Sequence, residues 1–213
     1  MKFACSQELL IEIDTIIKKL RERYYKDKRL ILTEGDMINH AHTMLIRANI
    51  PEKYNLSLHS ELRPFDASTY EFIRDNGWSK DVPINYAVKF DLSLIDKSKD
   101  YWDVTYRRVA QAQTGHENKV KYWRFLLYPS EAFKAVIEFK IRVNNNLKNL
   151  KKDIKKLYWL HMRNKECLKF IVIMDRKATE RCINNIQRAL NNKEFIHSCL
   201  VGSKEVELAS RTL

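Results

Sequence analysis

The run AVIEFKI, residues 135–141, is the strongest constraint in this chain. Uninterrupted Ala, Val, Ile and Phe at this length predict a strand buried on both faces. Side chains alternate along a strand, so Ala135, Ile137, Phe139 and Ile141 share one side. Val136, Glu138, Lys140 and Arg142 share the other. A carboxylate and an amine two residues apart in such a strand are costly to bury and stabilise weakly as a pair. Their presence there points to a use.

The rest of the chain predicts a sheet around that strand. YAVKFDLSLID, residues 86–96, and LKFIVIM, residues 168–174, read as further strands. Residues 54–63 alternate, with Leu56, Leu58, Ser60 and Leu62 on one side and His59, Glu61 and Arg63 on the other. Residues 6–23 space Leu9, Leu10, Ile13, Ile16, Ile17 and Leu20 as an amphipathic helix. Thr33 can cap a second helix, which stops before Pro51. NNLKNLKKDIKKLYWLHMR carries Leu147, Leu150, Ile154 and Leu157 on one helical stripe, with lysines elsewhere. RKATERCINNIQRALNN forms a last helix with Cys182, Ile183, Ile186 and Leu190 inward, and the tail from Phe195 adds a further strand. Residues 64–83 read as a surface excursion with one short helix. The order is that of an α/β chain with a mixed central β-sheet flanked by helices.

Length and composition set the limits. At 213 residues and 45% hydrophobic, the chain suits one domain with its own core. Within it, residues 1–30 form an N-terminal helical extension and 97–130 a basic, aromatic insertion. The net charge of +12 favours a polyanionic partner, nucleic acid ahead of an acidic membrane surface. No apolar run is long enough for a membrane span, and the N-terminus lacks the pattern of a signal peptide. Cys5, Cys167, Cys182 and Cys199 form no CxxC pair and have no His at ligand spacing. Free thiols in a reducing cytoplasm are expected. There is no glycine-rich phosphate loop, and Ser60 and Ser93 lack His–Asp company. His40 and His42, two apart on a helix, face apart by about 200° and make no metal pair.

A second acidic strand gives Glu138 company. Asp91 and Asp96 are five apart and face opposite sides of the sheet, so only one can join Glu138. Asp91 lies within the strand and is the choice. Two carboxylates from adjacent strands make a hard-oxygen site suited to Mg²⁺ or Mn²⁺. A nearby ammonium can orient water or steady the charge that builds on a phosphate.

Asp91 followed by Glu138-Phe139-Lys140 resembles the PD-(D/E)XK nuclease superfamily. The resemblance covers roughly residues 33–175. The order of elements is similar too: a helix, three strands with the acids on the second and third, a helix, then another strand. It implies a restriction-endonuclease-like core and metal-dependent hydrolysis of phosphodiester bonds in DNA, less often RNA. By the same resemblance Asp91 and Glu138 hold metal and Lys140 positions the attacking water. It also implies a further Glu on the preceding helix or first strand, for which Glu61 ranks ahead of Glu34. The sequence departs from the pattern at Phe90, where many members have Pro, and in the long gap between Asp91 and Glu138.

Aromatic residues interleaved with Arg and Lys in YWDVTYRRV and KVKYWRF suit a groove that holds phosphates and stacks bases, or a small packed elaboration. Arg63, Arg107 and Arg108 are candidate backbone contacts. So are Lys148, Lys151, Lys152, Lys155 and Lys156 on the helix after Lys140. Two other classes stay open: a nucleic-acid-binding module that cuts nothing, and an interaction protein with a structural ion pair. A homodimer is compatible with either.

Overall fold

The computed structural model describes residues 2–27, 33–65, 89–99, 102–111, 118–141, 143, 147–175, 177–191 and 193–201. For 63–65, 102–111 and 118–127 it gives backbone path and register. Of the excursion expected at 64–83, Pro64 and Phe65 instead continue the first strand, and residues 66–83, the strand start at 86–88 and Arg142 lie outside the described residues.

Helices α1 (Lys2–Lys26), α2 (Glu34–Arg47) and the short α3 (Ile50–Lys53) come first. Thr33 caps α2: its hydroxyl accepts from the Asp36 amide, and the Asp36 carboxylate accepts from the Thr33 amide, 2.8 Å away. These two bonds satisfy donors that a helix start leaves orphaned. As expected, α2 stops before Pro51, which sits in the first turn of α3, where its missing amide is harmless.

Strands β1 (Leu56–Phe65), β2 (Phe90–Asp96), β3 (Trp102–Gln111), β4 (Asn118–Pro129) and β5 (Phe133–Ile141) follow. Then come α4 (Lys148–Arg163), β6 (Leu168–Met174), α5 (Glu180–Leu190) and β7 (His197–Val201). The sheet runs β3-β4-β1-β2-β5-β6-β7. The neighbours β1–β2 and β2–β5 are antiparallel, while β5–β6 and β6–β7 are parallel. This is a mixed α/β sheet flanked by helices, and with α3 and the β3–β4 hairpin set aside the order of elements from α2 to β6 matches the helix, three strands, helix and strand that the resemblance implied. The tail strand expected after Phe195 is β7.

The segment 97–130, read from sequence only as mixed and basic, holds a long hairpin. β3 and β4 pair from Trp102↔Leu127 to Gln111↔Asn118 without a slip. β4 then runs parallel to the end of β1, from Arg63↔Leu127 to Phe65↔Pro129, and so widens the sheet.

Each face of the sheet carries a core. On one, α1 and α2 bring Leu9, Ile13, Leu20, Met37 and Leu45 against Leu94, Ile137, Phe139 and Val172. The apolar stripe of α1 is therefore covered by its own sheet, and Tyr24 donates a hydrogen bond to the Met174 carbonyl. On the other, α4 and α5 bring Leu150, Ile154, Leu157, Ile183 and Ile186 against Phe133, Val136, Ile171 and Ile173. The alternation expected for β5 holds, with Ile137 and Phe139 on one face and Val136 on the other.

The alternation expected for β1 does not hold throughout. Leu56 joins the α1–α2 core but Leu62 joins the α4–α5 core. Between them Glu61 adopts φ 57°, a left-handed conformation that turns the strand over. Among the described residues, no helix is long and apolar enough to cross a membrane.

Candidate active site

The site is built where β2 and β5 part. Their ladder runs Leu94↔Ala135, Ser93↔Val136, Leu92↔Ile137. One further step would set Asp91 beside Glu138. There the Asp91 carboxylate takes the place of the neighbouring backbone: its Oδ2 accepts from the Phe139 amide at 2.8 Å. That bond satisfies a strand donor and holds the carboxylate against β5.

Glu138 is wholly buried, at 0% exposure. Burial first, then the charges of Asp91 and Asp153, push its pKa well above the usual carboxylate value; Lys156 works against them. Asp91 is thus close enough for its charge to be felt at Glu138.

Lys140 emerges at the end of β5 with its ammonium 3.1 Å from Asp153 Oδ2 and 3.5 Å from Glu34 Oε2. It also donates to the Phe139 carbonyl at 2.8 Å. Burial alone would lower its pKa; Asp153, Glu34 and Asp91 outweigh that and raise it. Lys140 therefore stays an ammonium through the neutral range.

Glu34, at the first position of α2, also accepts from the Ile141 amide at 3.4 Å. Glu61, ranked ahead of Glu34 from the alternation of β1, falls opposite Asp91 in the β1–β2 ladder, between Ser60↔Leu92 and Leu62↔Phe90. Its carboxylate pairs with Lys89 at 2.6 Å and is 65% exposed. The left-handed turn at Glu61 explains the difference, because it breaks the alternation on which the ranking stood. Asp96 is turned into its own loop, accepting from the Ser98 amide and hydroxyl.

Two members of the cluster were not singled out from the sequence. Asp153 is buried on α4 and bridges Lys140 and Lys156. Lys156, grouped above with the phosphate-binding lysines, is turned inward instead. Its Nζ lies 2.6 Å from Glu138 Oε1 and 2.8 Å from Asp153 Oδ1. A signal for Asp153 existed. It is the one acidic residue in this lysine-rich helix, and it falls three residues after Leu150 and four before Leu157, on the apolar stripe.

The nucleic-acid candidates are placed as follows. Lys148, Lys151 and Lys152 are exposed on the first turns of α4. Arg63 lies opposite Leu127 where β1 meets β4, and Arg107 and Arg108 lie opposite Tyr122 and Lys121 in the hairpin.

Whether the residues suit a divalent cation can be judged from two features. Among the described residues, no three His, Cys, Asp or Glu side chains are arranged to cage a metal ion. Yet Glu138 Oε2 is buried with no hydrogen-bond partner among the described residues, and the charge of Asp91 adds to the burial that disfavours its ionised form. A buried oxygen left so is unfavourable by about 1–3 kcal/mol or more. Two carboxylates with water or phosphate completing the shell is the donor set Mg²⁺ accepts. The residues fit the ion as a two-carboxylate site, with the Glu61 carboxylate paired to Lys89.

No family model and no curated protein matches the sequence. Among solved structures, the chain is similar to NucC from P. aeruginosa ATCC27853 and NucC from E. coli MS115-1, both in cAAA-bound form. Identity is 10% in each case, with TM-scores of 0.48 and 0.45. The first overlap takes in 92% of this chain and 75% of the other, the second 92% and 74%. Similarity of this degree says nothing about chemistry.

Proposed function

We propose that the chain is a metal-dependent nuclease that hydrolyses phosphodiester bonds, with DNA as the first substrate to test. The observation that carries this is the fork of β2 and β5. There the Asp91 carboxylate accepts from the Phe139 amide, one Glu138 oxygen is buried with no hydrogen-bond partner among the described residues, and Lys140 follows two residues along the same strand, which together support the reading.

Asp91 and Glu138 would hold Mg²⁺ or Mn²⁺. Such an ion, when bound, polarises a phosphate and makes a coordinated water acidic. The remaining work falls to the chain. The Phe139 amide fixes the Asp91 carboxylate in place. Lys140, held as an ammonium by Asp153 and Glu34, donates hydrogen bonds. It can place a water or balance charge on a phosphate oxygen, but it does not take a proton at neutral pH. Lys148, Lys151 and Lys152 would neutralise backbone phosphates, which makes binding weaken with salt.

A second reading is favoured by one observation: Lys156 already balances Glu138, as in a structural ion pair. Incubation with plasmid and single-stranded DNA, in Mg²⁺, Mn²⁺ or chelator, separates the two. Cleavage by the parent with either ion, none with chelator, and a loss of at least about 10²-fold in Glu138→Ala and Lys140→Ala are expected. DNA affinity of Lys140→Ala should stay within a few-fold of the parent. Neither cleavage nor DNA binding under any condition would favour the second reading, and DNA binding without cleavage would favour a nucleic-acid-binding module.

A further inference from the structure

The Lys156 ammonium is enclosed by oxygen. Glu138 Oε1 lies at 2.6 Å, Asp153 Oδ1 at 2.8 Å and the Lys89 carbonyl at 3.0 Å. The Phe90 ring lies beneath it, 6.0 Å from Nζ to centroid. These partners come from β5, from α4 itself and from the chain just before Asp91. The amine is therefore seated as an ion would be, against one of the two carboxylates assigned to metal.

We propose that Lys156 is an internal counter-ion that competes with the divalent cation for the charge of Glu138, and so sets how tightly the site loads. This rests on Asp91 and Glu138 being the metal-holding pair. Without metal, Lys156 offsets the buried carboxylate, so the chain folds with the site empty of any other cation. With metal, the ammonium and the ion repel each other across a single carboxylate, and affinity falls by the strength of that repulsion. Asp153 Oδ1 and the Lys89 carbonyl keep the ammonium solvated if it leaves Glu138.

Calorimetric titration with Mn²⁺, without nucleic acid, tests this in the parent, Lys156→Met and Glu138→Gln. Thermal unfolding in chelator and in Mn²⁺ accompanies it. Lys156→Met should bind Mn²⁺ at least about 10-fold more tightly than the parent. It should also unfold at a lower temperature than the parent in chelator and be restored by Mn²⁺, since the ion replaces the lost charge. Glu138→Gln should bind at least about 10-fold more weakly than the parent. If Lys156→Met fails to fold in chelator, Lys156→Gln keeps a donor for Glu138 and carries the same expectation. Unchanged or weaker binding in both Lys156 variants, with Glu138→Gln still impaired, overturns the counter-ion and leaves the metal site standing. Undiminished binding in Glu138→Gln, or none in the parent, removes the metal assignment and the counter-ion with it.

Discussion

Several single residues of this chain have their proton affinity set by burial, and in opposite senses. Glu138 is pushed up, so the unfolded chain ionises first as pH rises. Stability linked to Glu138 is thus lost between the ordinary value of 4.5 and its folded value. His59 and His197 run the other way. Burial lowers both below 6.5, helped by His42 at the first and by Lys169 at the second, against Asp14. On acidification the unfolded chain protonates these histidines first, so their contribution is lost as pH falls from 6.5 towards the folded values. Asp96, lowered by its Ser98 hydrogen bonds, acts only at more acid pH. The double variant His59→Gln/His197→Gln should therefore lose less stability than the parent between about pH 6.5 and pH 5, read from urea midpoints. Glu138, and His161, which burial with Lys169 and Lys165 also lowers, contribute to both chains and drop out of the difference. An equal or steeper loss in the variant would contradict this.

At the scale of elements, β1 decides which acids can reach the site. The Glu61 backbone at φ 57° is unfavourable by about 1–2 kcal/mol for an L-residue, and its exposed pair with Lys89 returns roughly 0–1 kcal/mol. Glu61→Gly should leave stability unchanged or raise it by up to about 1 kcal/mol in urea unfolding, and should leave cleavage intact. A loss beyond about 1 kcal/mol, or loss of cleavage, would restore Glu61 to the site. This turn is also where the sequence was misleading. Alternation through Leu56, Leu58, Ser60 and Leu62 assumes a regular strand, and nothing in the residue types at 61 signals the inversion. By contrast, β5, β6 and the helices were legible because their apolar spacing is strict, and α2 and α5 also start at a capping threonine, Thr33 and Thr179. The β3–β4 hairpin was not, because aromatic and basic residues mix there without a clean period. That Glu138 and Lys140 share a strand face follows from parity, and Asp91 is set beside them as the acid that lies within its strand. Lys156 could not, because in sequence it is one lysine among five on α4 and only packing turns it inward.

Across the whole molecule, two cores clamp one sheet, and the site lies where the sheet opens between them. The α1–α2 face supplies Glu34 and the α4–α5 face supplies Asp153 and Lys156. Four carboxylates and two ammonium groups therefore meet at one fork of β2 and β5. The central claim is that this fork takes a divalent cation. The most direct test is anomalous diffraction from crystals soaked in Mn²⁺, collected beside crystals held in chelator. One peak within coordination distance of both Asp91 and Glu138, about 2.0–2.3 Å from their oxygens, is expected, with Lys156 Nζ moved away from Glu138. No peak at the fork at saturating Mn²⁺, with Lys156 still seated on Glu138, would contradict it.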